Sequence, residues 1–345
     1  MHIPENYLSP ATCATMIAAM APVWYVSAKK VKVQIEEKKE NLVQLGIGAS
    51  LVFLIMMFNI PVPGGTTAHG VGAVLLAILL GPYSACLAVT LALVVQAFLF
   101  GDGGILCIGA NAFNMAFIMP FVGYGIFLIC KKIFRKFGDK IGAFAGGYLG
   151  IIAASLTCAI ELGIQPILFK NSVGQPLYCP YPLKITIPAM VGVHLIIGLV
   201  EGGITLAVYA YIKKVAPQTI YHSEDYVKAS NVKSERKWSK ALLPIIIVAL
   251  LLCPLGLIAS EPAWGEWDGT DIMTQLRKYN LPAVMPKAFT HNNGYHAIFD
   301  GYAIPGMSHG VSLALGYILC AASAIIIFLL IAKIIQAIIH KDIRE

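Results

Sequence analysis

The chain opens MHIPENYLSP, which places a histidine imidazole one peptide bond away from an α-amino group. Those residues can chelate a metal ion. The Met1 amine and the His2 peptide nitrogen close a five-membered ring, and the peptide nitrogen and His2 Nδ1 close a six-membered one. Three nitrogens then lie in a plane with one corner left. Such a site suits d-block ions that accept square-planar or tetragonal nitrogen coordination, notably Ni(II) and Cu(II). An α-amino group also gives up its proton near neutral pH more readily than a lysine does. Pro4 has no N–H and biases Ile3 toward an extended backbone. Ser9-Pro10 reads as a helix start, with Ser9 as N-cap and Pro10 at the first helical position. The terminus can therefore turn back toward the rest of the chain before any helix begins. A histidine at position 2 also arises by chance, so on its own this spacing is a weak signal.

His69, in PVPGGTTAHGVGA, is the second candidate ligand. The ordinary role of such a residue is a hydrogen-bonded anchor. Here Gly64, Gly65, Gly70 and Gly72 surround it and leave room for another backbone to approach. Other polar residues fall in or beside apolar runs: Gln96, Asp102, Asn111, Asn114, Glu161, His194 and Glu201. Such groups are costly in a membrane and face the interior of a bundle. His194 and Glu201 are seven apart and share a helical face. The plain reading of the set is an interior hydrogen-bond network, with Asn111 and Asn114 as candidates for the second shell around a bound ion. Seven of the eight cysteines lie in apolar runs and only Cys179 in an outer loop, so no disulfide framework or CxxC metal site follows. The sequence has no HExxH for a metallohydrolase and no GxxxxGK[ST] for ATP hydrolysis.

These residues need elements to position them, and the composition says which. Hydrophobic residues make up 58% of the chain and charged residues 12%, against about 25% charged in a soluble domain. The chain reads as an all-α polytopic membrane protein. Apolar runs near 10–28, 43–60, 69–80, 82–100, 105–130, 142–166, 185–212, 241–260 and 309–338 give about nine spans, a seven-helix core and two more. Gly81-Pro82 breaks the third from the fourth, and the third is short for a full span, so a broken or re-entrant helix fits there. With nine spans, twenty of the 25 basic residues fall on one side, in clusters at 29–39, 131–140, 213–240 and 333–344. The positive-inside rule makes that side cytoplasmic and puts the amino terminus, His2 and His69 outside. No positive charge precedes the first run, which argues against a cleaved signal peptide. Despite a net charge of +7, no aromatic-interleaved basic stretch suggests nucleic acid.

Residues 1–213 read as the metal-binding domain, 214–240 as a cytoplasmic linker and 241–345 as a two-helix region around an outer loop, 261–308. That loop is too long for a bare connection and is expected to fold locally or to serve function. Small residues in GAFAGGYLG, GLVEGG and along the first span (Ala11, Ala14, Ala18, Ala21) read as close packing within the chain. For the first span, a docking face for another membrane subunit is the alternative.

Four stretches, MHIPENYLSP, GGTTAHGVGAVLLAILLGPYSA, VQAFLFGDGGILCIGANAFNMAF and HLIIGLVEGGIT, together resemble the CbiM/NikM family, the membrane substrate-binding components of cobalt and nickel energy-coupling-factor transporters. The resemblance implies uptake of Co²⁺, which it favours, or Ni²⁺, across a bacterial or archaeal plasma membrane. The ion is the transported ligand; no cofactor of the chain's own is implied. It also implies a transmembrane coupling subunit and two ATPase subunits as partners, and an ion held by Met1, His2 and His69. Glu5-Asn6 stands where the family usually has an acidic residue and a glycine. The last two spans resemble the small accessory component fused into the same chain; a separate accessory subunit is implied only if they are not that component. Trp264, Trp267, His291, His296 and His309 are candidates for loading the ion from outside, against a plain reading as loop packing and chance histidines. An intramembrane metalloenzyme and a structural membrane subunit are the rival readings. Residue types alone do not separate cobalt from nickel.

Overall fold

The computed structural model describes residues 1–37, 41–217, 220–221, 235–259, 261–267, 269–290 and 295–342. Lys38, Lys39, Lys228, Lys233, Arg344, His291 and most of the expected linker lie outside them. Helices are α1 (Pro10–Glu37), α2 (Asn41–Met56), α3 (Ala73–Leu80), α4 (Pro82–Val95), α5 (Ile108–Ala112), α6 (Met119–Ile133), α7 (Gly138–Gly163), α8 (Gln165–Leu168), α9 (Leu183–Val215), α10 (Glu235–Leu252), α11 (Gly269–Lys278) and α12 (Gly310–Asp342). Two π-helical turns, Gln96–Phe100 and Phe113–Ile118, extend α4 and join α5 to α6. A short hairpin, β1 (Ile60–Val62) and β2 (Thr66–Ala68), pairs Ile60 with Ala68 and turns through Gly64 and Gly65, both at positive φ.

Among the described residues seven helical stretches are long and apolar enough to cross a membrane. Runs 43–60 and 69–80 are the exceptions. α3 has eight residues and rises about 12 Å, well short of the roughly 30 Å hydrocarbon core. All eight are buried, so protein surrounds the short helix rather than lipid. The break at Gly81-Pro82 is present, with Gly81 at φ 91°. The Tyr221 N–H, just beyond the end of α9, donates to the Leu79 carbonyl at 3.2 Å. The end of α3 and the end of α9 therefore share one side of the bundle.

Ser9 caps α1 as its sequence suggests: the Thr12 N–H donates to Ser9 Oγ at 3.1 Å, and the Ser9 N–H donates to Gln165 Oε1 at 3.0 Å. Glycines let α7 and α9 approach closely. A Cβ on Gly147 would stand 3.0 Å from the Gly202 Cα, and one on Gly202 would stand 2.7 Å from the Phe144 carbonyl oxygen. The first span departs from that pattern. Ala11, Ala14, Ala18 and Ala21 are exposed, while Cys13, Met20 and Ser27, seven apart, face the bundle. The expectation of internal packing for those alanines does not hold, because the stripe of larger side chains takes the inward face. The last helix, α12, lies along α2, where Gly46 meets Phe328 and Ala332, and the Tyr317 hydroxyl donates to the Met57 carbonyl at 2.9 Å.

Candidate metal centre

The amino terminus is folded into the protein. Met1 is 3% exposed, His2 4% and Ile3 fully buried. Asn111, at the start of the α5–α6 helix, clamps the segment with two hydrogen bonds: the Ile3 N–H donates to Asn111 Oδ1 at 2.7 Å, and Asn111 Nδ2 donates to the Ile3 carbonyl at 3.2 Å. The Gly104 N–H adds a third, to the same carbonyl at 2.9 Å. A Cβ at Gly104 would lie 2.8 Å from the Glu5 nitrogen. The glycines that admit the incoming backbone are thus those of FGDGG, not those around His69. Gly64 and Gly65 serve the hairpin turn instead. Asn6 sits at φ 72°, a left-handed conformation that asparagine tolerates better than most residues.

His69 directly follows the β2 strand, with its ring against that of His2. The His69 Nε2 to His2 Nδ1 distance is 3.3 Å. His69 Nδ1 is 2.8 Å from the Gly70 carbonyl oxygen, which only a protonated Nδ1 can satisfy. That tautomer leaves the Nε2 lone pair aimed at His2. Two nitrogens on adjacent corners of a planar ion with bonds of about 2.0 Å stand about 2.8 Å apart, so a closure of roughly half an ångström brings both onto one ion. Burial, reinforced by the Met1 ammonium, pushes His2 down to about 3 and His69 in the same direction. Both imidazoles are neutral at neutral pH, the form that binds metal.

Acidic groups complete the surroundings. Asp102 Oδ1 is 3.1 Å from His2 Nδ1. Its other oxygen accepts from the Tyr302 hydroxyl at 2.5 Å, and Gln96 Nε2 donates to that hydroxyl at 3.0 Å. Glu266, from the loop between α10 and α11, lies 3.8 Å from the Met1 amine. Burial raises the Glu266 carboxyl above the usual carboxylate range, and the ammonium opposes the rise. Tyr302 and Glu266 both come from the last hundred residues, so that region reaches the site. The loop is stitched down: Thr66 and Thr67 donate through their hydroxyls to the Pro262 and Glu261 carbonyls, each at 3.0 Å, and the Tyr7 hydroxyl donates to the Trp267 carbonyl at 3.1 Å. Trp264 and Trp267 are buried in an aromatic cluster with Tyr181. They pack the loop. His296 and His309 are exposed.

Asn114 turns elsewhere, donating to Glu161 Oε2 at 2.8 Å and accepting from Thr157. Asp102 and Glu266 as neighbours of the terminus were not readable as such. Asp102 carried a signal, an acidic residue between glycines beside a span. Glu266 carried none. Asn111→Ala removes two hydrogen bonds that orient Ile3. We expect metal affinity to fall by about 10- to 100-fold with the helices intact, as measured by isothermal titration.

A sequence-family model described as "Cobalt uptake substrate-specific transmembrane region", CbiM, matches residues 2–219. This chain belongs to the CbiM family. Residues 239–341 match a second family, the PDGLE domain. A CbiM region and a fused carboxyl-terminal region thus stand in one chain. It is 50% identical to the "Probable fused nickel transport protein LarMN" of Lactiplantibacillus plantarum, over 97% of this chain and 98% of that protein. It is 41% identical to the "Fused nickel transport protein NikMN" of Rhodobacter capsulatus, over 80% and 78% of the two. A crystal structure described as a transition metal transporter matches with TM-score 0.60 and 52% identity, covering 67% of this chain and 98% of that one. With its apolar helices, this CbiM-family chain is a multi-pass cell-membrane protein and a transport component rather than an enzyme.

Proposed function

We propose that the chain captures Ni²⁺ on the outer face of the membrane and passes it inward, powered by a transmembrane coupling subunit and two ATPase subunits. The observation that carries this reading is the approach of His69 Nε2 to His2 Nδ1 at 3.3 Å beside the buried Met1 amine. The planar set is then the Met1 amine, the His2 peptide nitrogen, His2 Nδ1 and His69 Nε2. Binding displaces the proton of the peptide nitrogen and any extra proton on the amine, and these leave to solvent, while a ring proton on His2 Nδ1 moves to Nε2. His2 Nε2, which has no partner among the described residues, can take up the ring proton in the bound tautomer. Nickel is preferred over cobalt on two grounds. Planar nitrogen coordination suits Ni²⁺, and the affinity order runs the same way. The fused relatives at 50% and 41% identity are named for nickel, while those named for cobalt are about 30% identical. The outward-facing terminus is supported by the basic clusters on the opposite side. The absence of a phosphate-binding loop from the sequence leaves energy supply to partners.

Competition on the purified chain tests the reading. The expected result is one Ni²⁺ per chain, with the absorption band of a planar nickel site, held at least about tenfold more tightly than Co²⁺. Equal or reversed preference would overturn the nickel assignment. Failure to bind either ion would overturn the capture reading itself.

A further inference from the structure

One buried histidine has no part in the site just described. His194, on α9, is 2% exposed. Its Nδ1 lies 2.7 Å from the Met190 carbonyl oxygen, so the ring proton sits there and Nε2 carries a lone pair. That nitrogen is buried and has no hydrogen-bond partner among the described residues. An unpaired buried polar atom destabilises the fold, and a hydrophobic residue at this position would avoid that cost. On the same face of α9 the Thr205 hydroxyl also has no partner among the described residues, whereas Glu201 and Tyr209 are paired. The Glu201 carboxylate accepts the Val71 and Gly72 N–H groups, and the Tyr209 hydroxyl donates to Asp139.

The free nitrogen is placed near the terminus. α7 and α9 are antiparallel, and the Thr186–Ala159 hydrogen bond and the Gly147–Thr205 contact set their register. That register sets His194 across from residues 151–158, about two turns of α7. The thiol of Cys158, at one end of that stretch, lies 3.8 Å from the Met1 carbonyl oxygen. The ring thus lies beneath the chelate, about one helical turn further from the end of α7 that meets the loop.

We propose that His194 is a second metal ligand, which accepts the ion through Nε2 when it leaves the amino-terminal chelate. The inference rests on the capture reading and adds to it a neutral imidazole on the inner side of the first site. Imidazole nitrogen is a good ligand for Ni²⁺ and exchanges faster than a multidentate chelate, which suits a hand-off. The lone pair that has no partner among the described residues then has one during transit.

The test uses His194→Leu and His194→Gln in the full chain. Gln keeps a donor for the Met190 carbonyl but is a poorer ligand, so it carries the same test should the Leu variant fail to fold. Two readouts are needed: nickel binding by the purified chain, and uptake of radioactive nickel by cells that also make its partner subunits. The expected result is one Ni²⁺ per chain with the planar-site band and affinity unchanged, and uptake reduced by about 10- to 100-fold. Native uptake in either folded variant would overturn the proposal. So would loss of the band together with uptake, which would make His194 part of the first site or of the fold. A native chain that binds no nickel would instead sink the capture reading, and the two failures are therefore distinct.

Discussion

Adding one glycine before Met1 is expected to abolish the proposed tight nickel binding while the membrane helices stay folded. The reasoning is stereochemical. The five-membered ring requires the amine to be attached to the carbon that precedes the His2 peptide bond. One extra residue turns that amine into an amide and moves the new amine about 3.5 Å further along the chain. Met1 is buried, with Cys158 on one side and Glu266 on the other, so the added residue finds no open path back to the imidazoles. Losing a primary ligand and its chelate ring is expected to cost more than the 10- to 100-fold typical of outer-shell changes, so the affinity loss exceeds about 100-fold. Titration of the purified extended chain checks this, with thermal unfolding as the control for fold. Unchanged affinity in the extended chain would mean that the amine is not a ligand, and His2 and His69 would then bind as two separate imidazoles.

Glu201→Leu has the second large effect, and it acts through the backbone that carries His69. The Glu201 carboxylate accepts the Val71 N–H at 2.8 Å and the Gly72 N–H at 2.9 and 3.1 Å. These are donors at the amino-terminal end of α3, where a carboxylate also complements the helix dipole. Leucine leaves two buried N–H groups unpaired, at about 1–3 kcal/mol each. With neither water nor lipid able to satisfy them, residues 70–72 must shift, and His69 with them. Thermal unfolding in detergent should show the lost stability, and nickel titration a weakened site. Glu201→Gln keeps one acceptor oxygen and is expected to fall between the native chain and Glu201→Leu on both measures. A leucine variant as stable and as tight-binding as the native chain would show that the strand before α3 holds its shape without this anchor.

How far the site could be read from residues alone varies with the range of the interaction. Short-range features were legible. Ser9-Pro10 starts α1, Gly81-Pro82 breaks α3 from α4, and His2 next to the amine marks a candidate chelate by covalent spacing alone. Each depends on covalent spacing or on the backbone limits of one or two residues. Apolar runs were equally plain, because the bilayer demands them. The small residues of α7 and α9 pack as expected, but those of α1 do not, since the same composition serves an inward or an outward face. The glycines around His69 seemed to make room for the terminus, yet Gly103 and Gly104 do so, because the terminus crosses the loop after α4 rather than the hairpin.

By itself the sequence determined that this is a helical membrane protein and marked Met1, His2 and His69 as candidate nitrogen ligands. Tertiary structure decided the rest. It brought His69 within 3.3 Å of His2 across 67 residues, set Glu266 against the amine from the far end of the chain, and left His194 Nε2 without a partner among the described residues. The physical reason is that covalent rings and hydrophobic spans are properties of neighbouring residues. Which side chain faces which across helices is settled only by how the whole core packs.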